Sequence, residues 1–96
     1  MQMRILSEAD VRQAVDMPAA IDAMRDAFSI LSSGQATVPI RLGLETEFGV
    51  SLFMPAHMKP SGQAGAKVVS VNPGNVNKGL PVIHAVVLIM DPVTGR

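Results

Sequence analysis

The sequence predicts an α+β fold: two N-terminal helices, then a mixed or largely antiparallel sheet of about four strands. Two observations carry this. Apolar residues recur at helical spacing as far as Gly34, and beyond it the pattern is extended. Four β-prone runs follow, near 37–45, 50–55, 65–72 and 82–90, separated by Glu47-Phe48-Gly49, Lys59-Pro60-Ser61-Gly62 and Asn72-Pro73-Gly74-Asn75.

Ser7 opens the first helix, with Asp10 three residues on to complete a carboxylate form of the capping box. Glu8 and Asp10 place negative charge at the positive end of a short helix spanning about 8–15. Asp16 caps the second, and Pro18 is tolerated in its first turn. Ile21, Met24, Phe28 and Leu31 form one apolar stripe, with Asp22, Arg25, Asp26 and Ser29 mostly opposite, and Gly34 supplies the stop. The strongest strand, 82–90, runs into Asp91-Pro92-Val93-Thr94-Gly95, which is hairpin-turn chemistry. A turn with no returning strand leads us to expect that these 96 residues are part of a longer protein.

Composition excludes several classes. Ninety-six residues allow one small domain, and 48% hydrophobic with 17% charged residues is too apolar for a disordered chain. Eight basic and eight acidic residues cancel, which argues against a nucleic-acid groove or an anionic-membrane patch. With no cysteine there is no disulfide, thiolate nucleophile or cysteine-based zinc site, and two histidines alone do not make a metal site. No apolar run reaches the ~20 residues of a membrane span, and the first residues do not read as a signal peptide. The expectation is a cytoplasmic protein.

Lys67 is the most informative residue. In Gly65-Ala66-Lys67-Val68-Val69-Ser70-Val71 it shares a face with Val69 and Val71. A lysine there either snorkels at a sheet edge or sits in a pocket as an acid or base; parity alone favours the edge. Arg41 points away from the apolar set Val38, Ile40, Leu42 and Leu44, between the small neighbours Pro39 and Gly43. It either binds a carboxylate or is a solvated outer-face residue. The loop from Asn72 to Gly79, with Asn75 in it, follows the lysine strand and lacks P-loop spacing. His84 lies in the apolar set Val82, Val86, Leu88 and Met90, where a hydrogen-bonded core histidine is the competing reading. No serine has a nucleophile-elbow context, and no strand is followed by a dinucleotide fingerprint.

Several stretches in order and spacing resemble one family. They are Ala20-Ile21-Asp22-Ala23-Met24 with Ala27-Phe28, Pro39-Ile40-Arg41, Leu52-Phe53-Met54-Pro55-Ala56, the Gly65–Val71 run with Pro73-Gly74-Asn75, and Gly79-Leu80-Pro81-Val82 through Gly95. Together they resemble the N-terminal part of the ornithine cyclodeaminase/μ-crystallin family. The resemblance implies that residues 1–96 are part of a substrate-binding and dimerisation domain, with a Rossmann NAD(P) domain outside this chain. It implies NAD or NADP for the full-length protein and none bound by this chain alone. It also implies a small amino, imino or keto acid substrate and a homodimer paired through the sheet.

By the same comparison Arg41 holds the substrate carboxylate, Lys67 contacts substrate and takes part in proton transfer, and Met54, Asn75 and His84 lie near the pocket. Ornithine-specific members tend to carry an acidic residue two positions before the Met-Pro pair. Leu52 stands there, and leucine cannot pair with an ammonium. The expectation is therefore a smaller or more apolar amino acid, or a cyclic imine such as pyrroline-carboxylate. The competing expectation is a stand-alone small-ligand-binding or dimerisation module without catalysis, since μ-crystallin-type relatives bind small ligands.

Overall fold

The computed structural model describes residues 2–96. Helix α1 spans Glu8–Ala14 and carries the full capping box: Asp10 N–H donates to Ser7 Oγ at 3.2 Å, and Ser7 N–H donates back to Asp10 Oδ2 at 2.8 Å. Two orphan amides are satisfied reciprocally. Helix α2, Met17–Ser32, starts from Asp16, whose carboxylate accepts from Ala19 N–H at 2.9 Å. It ends in a Schellman motif. Gly34 adopts φ +77°, its N–H reaches Leu31 O at 3.2 Å, and Gln35 N–H reaches Ile30 O at 3.0 Å. Only glycine takes that left-handed position without steric cost.

Five strands follow: β1 Ala36–Thr37, β2 Leu42–Thr46, β3 Gly49–Met58, β4 Ala64–Val71 and β5 Ile83–Met90. Every ladder is antiparallel. The order β1-β3-β4-β5 has β2 added to β3. The single run expected over 37–45 is two strands lying end to end along one edge of β3: β2 pairs with residues 49–53, β1 with 57–58. Proline explains the break. Pro39 falls in the connection, and Pro55, with no N–H to donate, falls where β3 has neither β1 nor β2 beside it.

The turn at 59–61 is as expected, whereas residues 73–78 form a 3₁₀ helix rather than an ordinary turn. At the chain's end Asp91 Oδ1 accepts from the amides of Val93 and Thr94 and from the Thr94 hydroxyl, an Asx-type turn.

Little of this is buried. Among the described residues Val69, 6% exposed, is the one buried hydrophobic. The α2 stripe is open, with Phe28 67% exposed, and α2 touches the sheet chiefly at β1. Both sheet faces are uncovered, so the order comes from ladder pairing more than from a core.

Candidate functional site

Antiparallel pairing places directly opposite residues on one face, so the register assigns every side chain to a row. One row contains Met54, Lys67 and Val87. Lys67 therefore does not snorkel at an edge. It stands on β4, an interior strand with β3 on one side and β5 on the other. Arg41 immediately precedes β2. Leu42↔Phe53 is the last pair of the β2–β3 ladder, and extending its register by one residue brings Arg41, itself outside the strand, level with Met54. On that extension Arg41, Met54 and Lys67 follow one another across three adjacent segments. The outer two are about 10 Å apart at the backbone, a gap that both long side chains can close above Met54.

The electrostatics of this row are one-sided. The ion pairs among the described residues are Arg12–Glu8 at 2.9 Å and Arg25–Asp22 at 3.6 Å, both on helices and exposed. Neither Arg41 nor Lys67 takes part in one. The flanking rows, Gly43–Leu52–Val69–Ala85 and Ala56–Gly65–Ile89, hold no charge. Glu45 on the same face is opposite Val50, two rows and about 13 Å from Arg41. The row and its two flanking rows thus carry positive charge and no carboxylate.

The two flanks differ in bulk. On one side Leu52 and Val69 fill the surface. On the other, Ala56 and Gly65 leave a groove of about 340 Å³ bounded by Met54, Met58, Val87 and Ile89, with Lys67 at one end and Gln63 near the other. Parity could have revealed this, because Gly65 lies two residues before Lys67 and Ala56 two after Met54. The register that juxtaposes them is a long-range property.

The other two candidates are not brought to Lys67. His84 pairs with Ser70, and Ser70 with Ser51, on the opposite face of the sheet. That face has its own shallow groove lined by this row with Phe53, Val68 and Val86. Lys67 and Ser70 are three residues apart on one strand, and an odd separation sends them to opposite faces. Asn75 lies in the 3₁₀ segment beyond the end of β4, and its side-chain amide donates to Pro81 O at 2.9 Å. The neighbouring cation is also engaged, with Lys78 Nζ 5.8 Å from the centre of the Phe48 ring. This segment braces the sheet end. Asn72 Nδ2 reaches Phe48 O at 3.4 Å, and Asn72 N–H reaches Val82 O at 2.8 Å.

Among the described residues no three His, Cys, Asp or Glu side chains come together as metal ligands. No helix is long and apolar enough to cross a membrane.

The class that this geometry defines is an α+β domain whose antiparallel sheet carries an interior lysine beside an apolar groove, with an arginine at the start of a neighbouring strand. Comparison with known proteins gives this class a family. The chain belongs to the ornithine cyclodeaminase/mu-crystallin family, whose profile matches residues 1–96. It is 38% identical over 95 residues to the alanine dehydrogenase of Archaeoglobus fulgidus, covering 99% of this chain and 29% of that protein.

Two solved structures superpose well. One is an archaeal alanine dehydrogenase dimer with bound NAD, with a TM-score of 0.86 and 37% identity over 95% of this chain and 28% of that one. The other is the Thermococcus litoralis Delta(1)-pyrroline-2-carboxylate reductase in complex with NADH and L-proline, with a TM-score of 0.89 and 39% identity over 97% of this chain and 29% of that one. The chain therefore spans under a third of the length of these relatives.

Proposed function

We propose that this chain supplies the substrate-binding side of an NAD(P)-dependent amino- or imino-acid oxidoreductase or deaminase, with Arg41 and Lys67 as its working cations. What supports this is the pair Met54↔Lys67 on the sheet interior, with Arg41 one residue beyond the Leu42↔Phe53 pair and no acidic neighbour in either flanking row. A guanidinium takes a carboxylate through a bidentate fork, whereas an ammonium is a compact donor that can also transfer a proton. Arg41 fixes the carboxylate. Lys67 completes the anion site and hydrogen-bonds the adjoining nitrogen or carbonyl, where it gives or takes the proton. Met54 is the floor between them. Leu52 and the uncharged flanks favour a substrate without a second ammonium, in keeping with the alanine and proline of the relatives' names.

The nicotinamide cofactor is proposed for the whole protein from the NAD and NADH of the two solved relatives. The residues of this chain do not fit it. All ladders are antiparallel, and no glycine-rich turn joins a strand to a helix among the described residues, so no backbone cradle for a pyrophosphate is formed. The whole protein works as a homodimer in which the exposed sheet is covered by its partner, as the dimeric relative suggests.

The test is direct. The 96-residue chain is titrated with acetate while the amides of residues 41 and 67 are followed by NMR. Arg41→Met and Lys67→Met should each weaken binding about 10-fold or more, the size of a charge-assisted hydrogen bond. Acetate binding that ignores both substitutions overturns the assignment.

A further inference from the structure

The wall beside the two cations leads further, and the inference rests on the carboxylate reading just given. That reading sets the substrate's side chain against Leu52, in the row Gly43–Leu52–Val69 next to Met54 and Lys67. The two neighbours of Leu52 in this row differ. Val69 on β4 is 6% exposed, so the surface on that side is filled. Gly43 on β2 is exposed and has no side chain. Leu52 Cδ2 lies 3.5 Å from the point that a Cβ on Gly43 would occupy. Directly opposite Cβ atoms stand about 4.5–5.5 Å apart, so the Leu52 side chain leans from β3 over β2.

The fold does not demand glycine at 43. Its φ is not positive. A Cβ there would meet only Leu52 Cδ2 and, at 4.0 Å, Val50 Cγ2, both ordinary contacts. Gly65, on the other flank of Lys67, is the contrasting case, because a Cβ there would run into the carbonyl oxygen of Leu88. The size of residue 43 is therefore free to be set by what Leu52 has to do.

We infer that Gly43 is a positioning residue for substrate size: the space it leaves above β2 lets Leu52 lie low beside the cations, and so sets how long a side chain the site admits. Cγ atoms at 43 would contest the place of Leu52 Cδ2. Val69 blocks a swing toward β4, so Leu52 would have to stand up from the sheet, into the path of the substrate. The ligand class is a small acid with a short, uncharged aliphatic side chain. This ledge lies at the β2 side of the sheet, whereas Val87 and Ile89 stand on β5 at the other side.

The experiment titrates the 96-residue chain with acetate, propanoate and butanoate, following the Leu52 methyl signals together with the amides of residues 41 and 67. A methylene resting on Leu52 loses about half its water contact, so affinity should rise roughly two-fold per added carbon. Butanoate should shift the Leu52 methyls more than acetate does. Gly43→Ala, whose Cβ fits at ordinary distance, should keep this series. Gly43→Val should leave acetate binding unchanged and abolish the gain for butanoate. In a Leu52→Ala background the same Gly43→Val substitution should leave the butanoate-to-acetate ratio unchanged, which a general disturbance of β2 would not reproduce. The two readings fail separately. If acetate does not bind, or binds without regard to residues 41 and 67, the carboxylate site itself is refuted. If acetate binds there but the butanoate gain survives Gly43→Val, or falls as much without Leu52, the role of Gly43 is overturned. Where the valine variant does not fold, the wild type decides: butanoate that leaves the Leu52 methyls unmoved, or no nuclear Overhauser effect between a Leu52 methyl and the Gly43 α-protons, overturns it as well.

Discussion

Gly49 and Gly43 lie on adjacent strands of one hairpin, and the structure assigns them opposite tolerances. Neither has a positive φ, so backbone conformation does not demand glycine at either site. Space does the deciding. A Cβ on Gly49 would run into the carbonyl oxygen of Val71 and lie 3.0 Å from its carbon and 3.1 Å from Asn72 Cα. All three are backbone atoms that cannot rotate away. Restoring ordinary carbon–carbon separations of about 3.5–4.0 Å requires β3 and the end of β4 to part by up to ~1 Å.

That movement disturbs the terminal Val50↔Val71 rung and the Asn72–Phe48 bond. Two compromised hydrogen bonds at about 1 kcal/mol each, with an overpacking cost of about 1–2 kcal/mol, give a loss of roughly 3–4 kcal/mol for Gly49→Ala. At about 4–8 °C per kcal/mol for a chain this size, the melting temperature should fall by roughly 10 °C or more. A Cβ on Gly43 meets only Leu52 Cδ2 at 3.5 Å and Val50 Cγ2 at 4.0 Å, both ordinary contacts. Gly43→Ala should be neutral or stabilising by up to about 1 kcal/mol, through the narrower unfolded ensemble. Thermal unfolding followed by circular dichroism measures both. A Gly49→Ala protein melting within about 2 °C of wild type, or a Gly43→Ala protein damaged equally, would refute the reasoning.

Two further outcomes are expected. The Asp10 carboxyl is held below its ordinary value of 3.8 by the hydrogen bond from Ser7 N–H and then by the Ser7 side chain. A depressed acid contributes stability that is present above its unfolded pKa and lost as pH falls through the folded one. The first-turn amides of α1 should therefore lose protection only below pH 3.8; fraying of α1 already at neutral pH, or an Asp10 midpoint at or above that of free aspartate, would contradict the cap's role. The uncovered apolar surface, including Phe28, Val87 and Ile89 at 64–67% exposed, should drive self-association. Equilibrium sedimentation should give a dimer mass, and a clean monomer at about 1 mM would mean under about 4 kcal/mol of pairing free energy and would sink the proposed homodimer.

The local devices were legible in the sequence because each is written in residues close along the chain. Ser7 with Asp10, Asp16 with Pro18, and Gly34 each fix a helix end within one turn. The facial parity of Lys67 and of His84 also followed from alternation alone. What alternation cannot supply is strand order. Lys67 read as an edge residue because nothing local reveals that β3 and β5 flank β4. The split of 37–45 into β1 and β2 depended on Pro55, 16 residues after Pro39, leaving an unpaired stretch on β3. Asn75 is placed near the pocket by the family resemblance and not by its loop, and its side-chain amide donates to Pro81 O, six residues on. The pairing of Arg41 with Lys67 comes from the resemblance to the family; the register places Lys67 opposite Met54 and leaves Arg41 one residue beyond the β2 ladder.

The candidate site rests on register more than on burial, and this shapes how it can fail. A site built in a core is lost when packing is lost. Here Val69 is the one buried hydrophobic among the described residues, yet the positions of Met54, Lys67 and Val87 across the sheet are set by backbone ladders, and that of Arg41 by the β2 ladder it adjoins. A one-residue slip of β2 against β3 would carry Arg41 off the Lys67 face while leaving most hydrogen bonds intact. The sequence opposes such a slip at the turn end, where Gly49 is pinned against Val71 and Thr46 Oγ1 donates to Gly49 O at 3.2 Å. Residues remote from Arg41 and Lys67 thus hold the two cations of the proposed site in line. Loss of that alignment should appear as weakened carboxylate binding before it appears as loss of strand content.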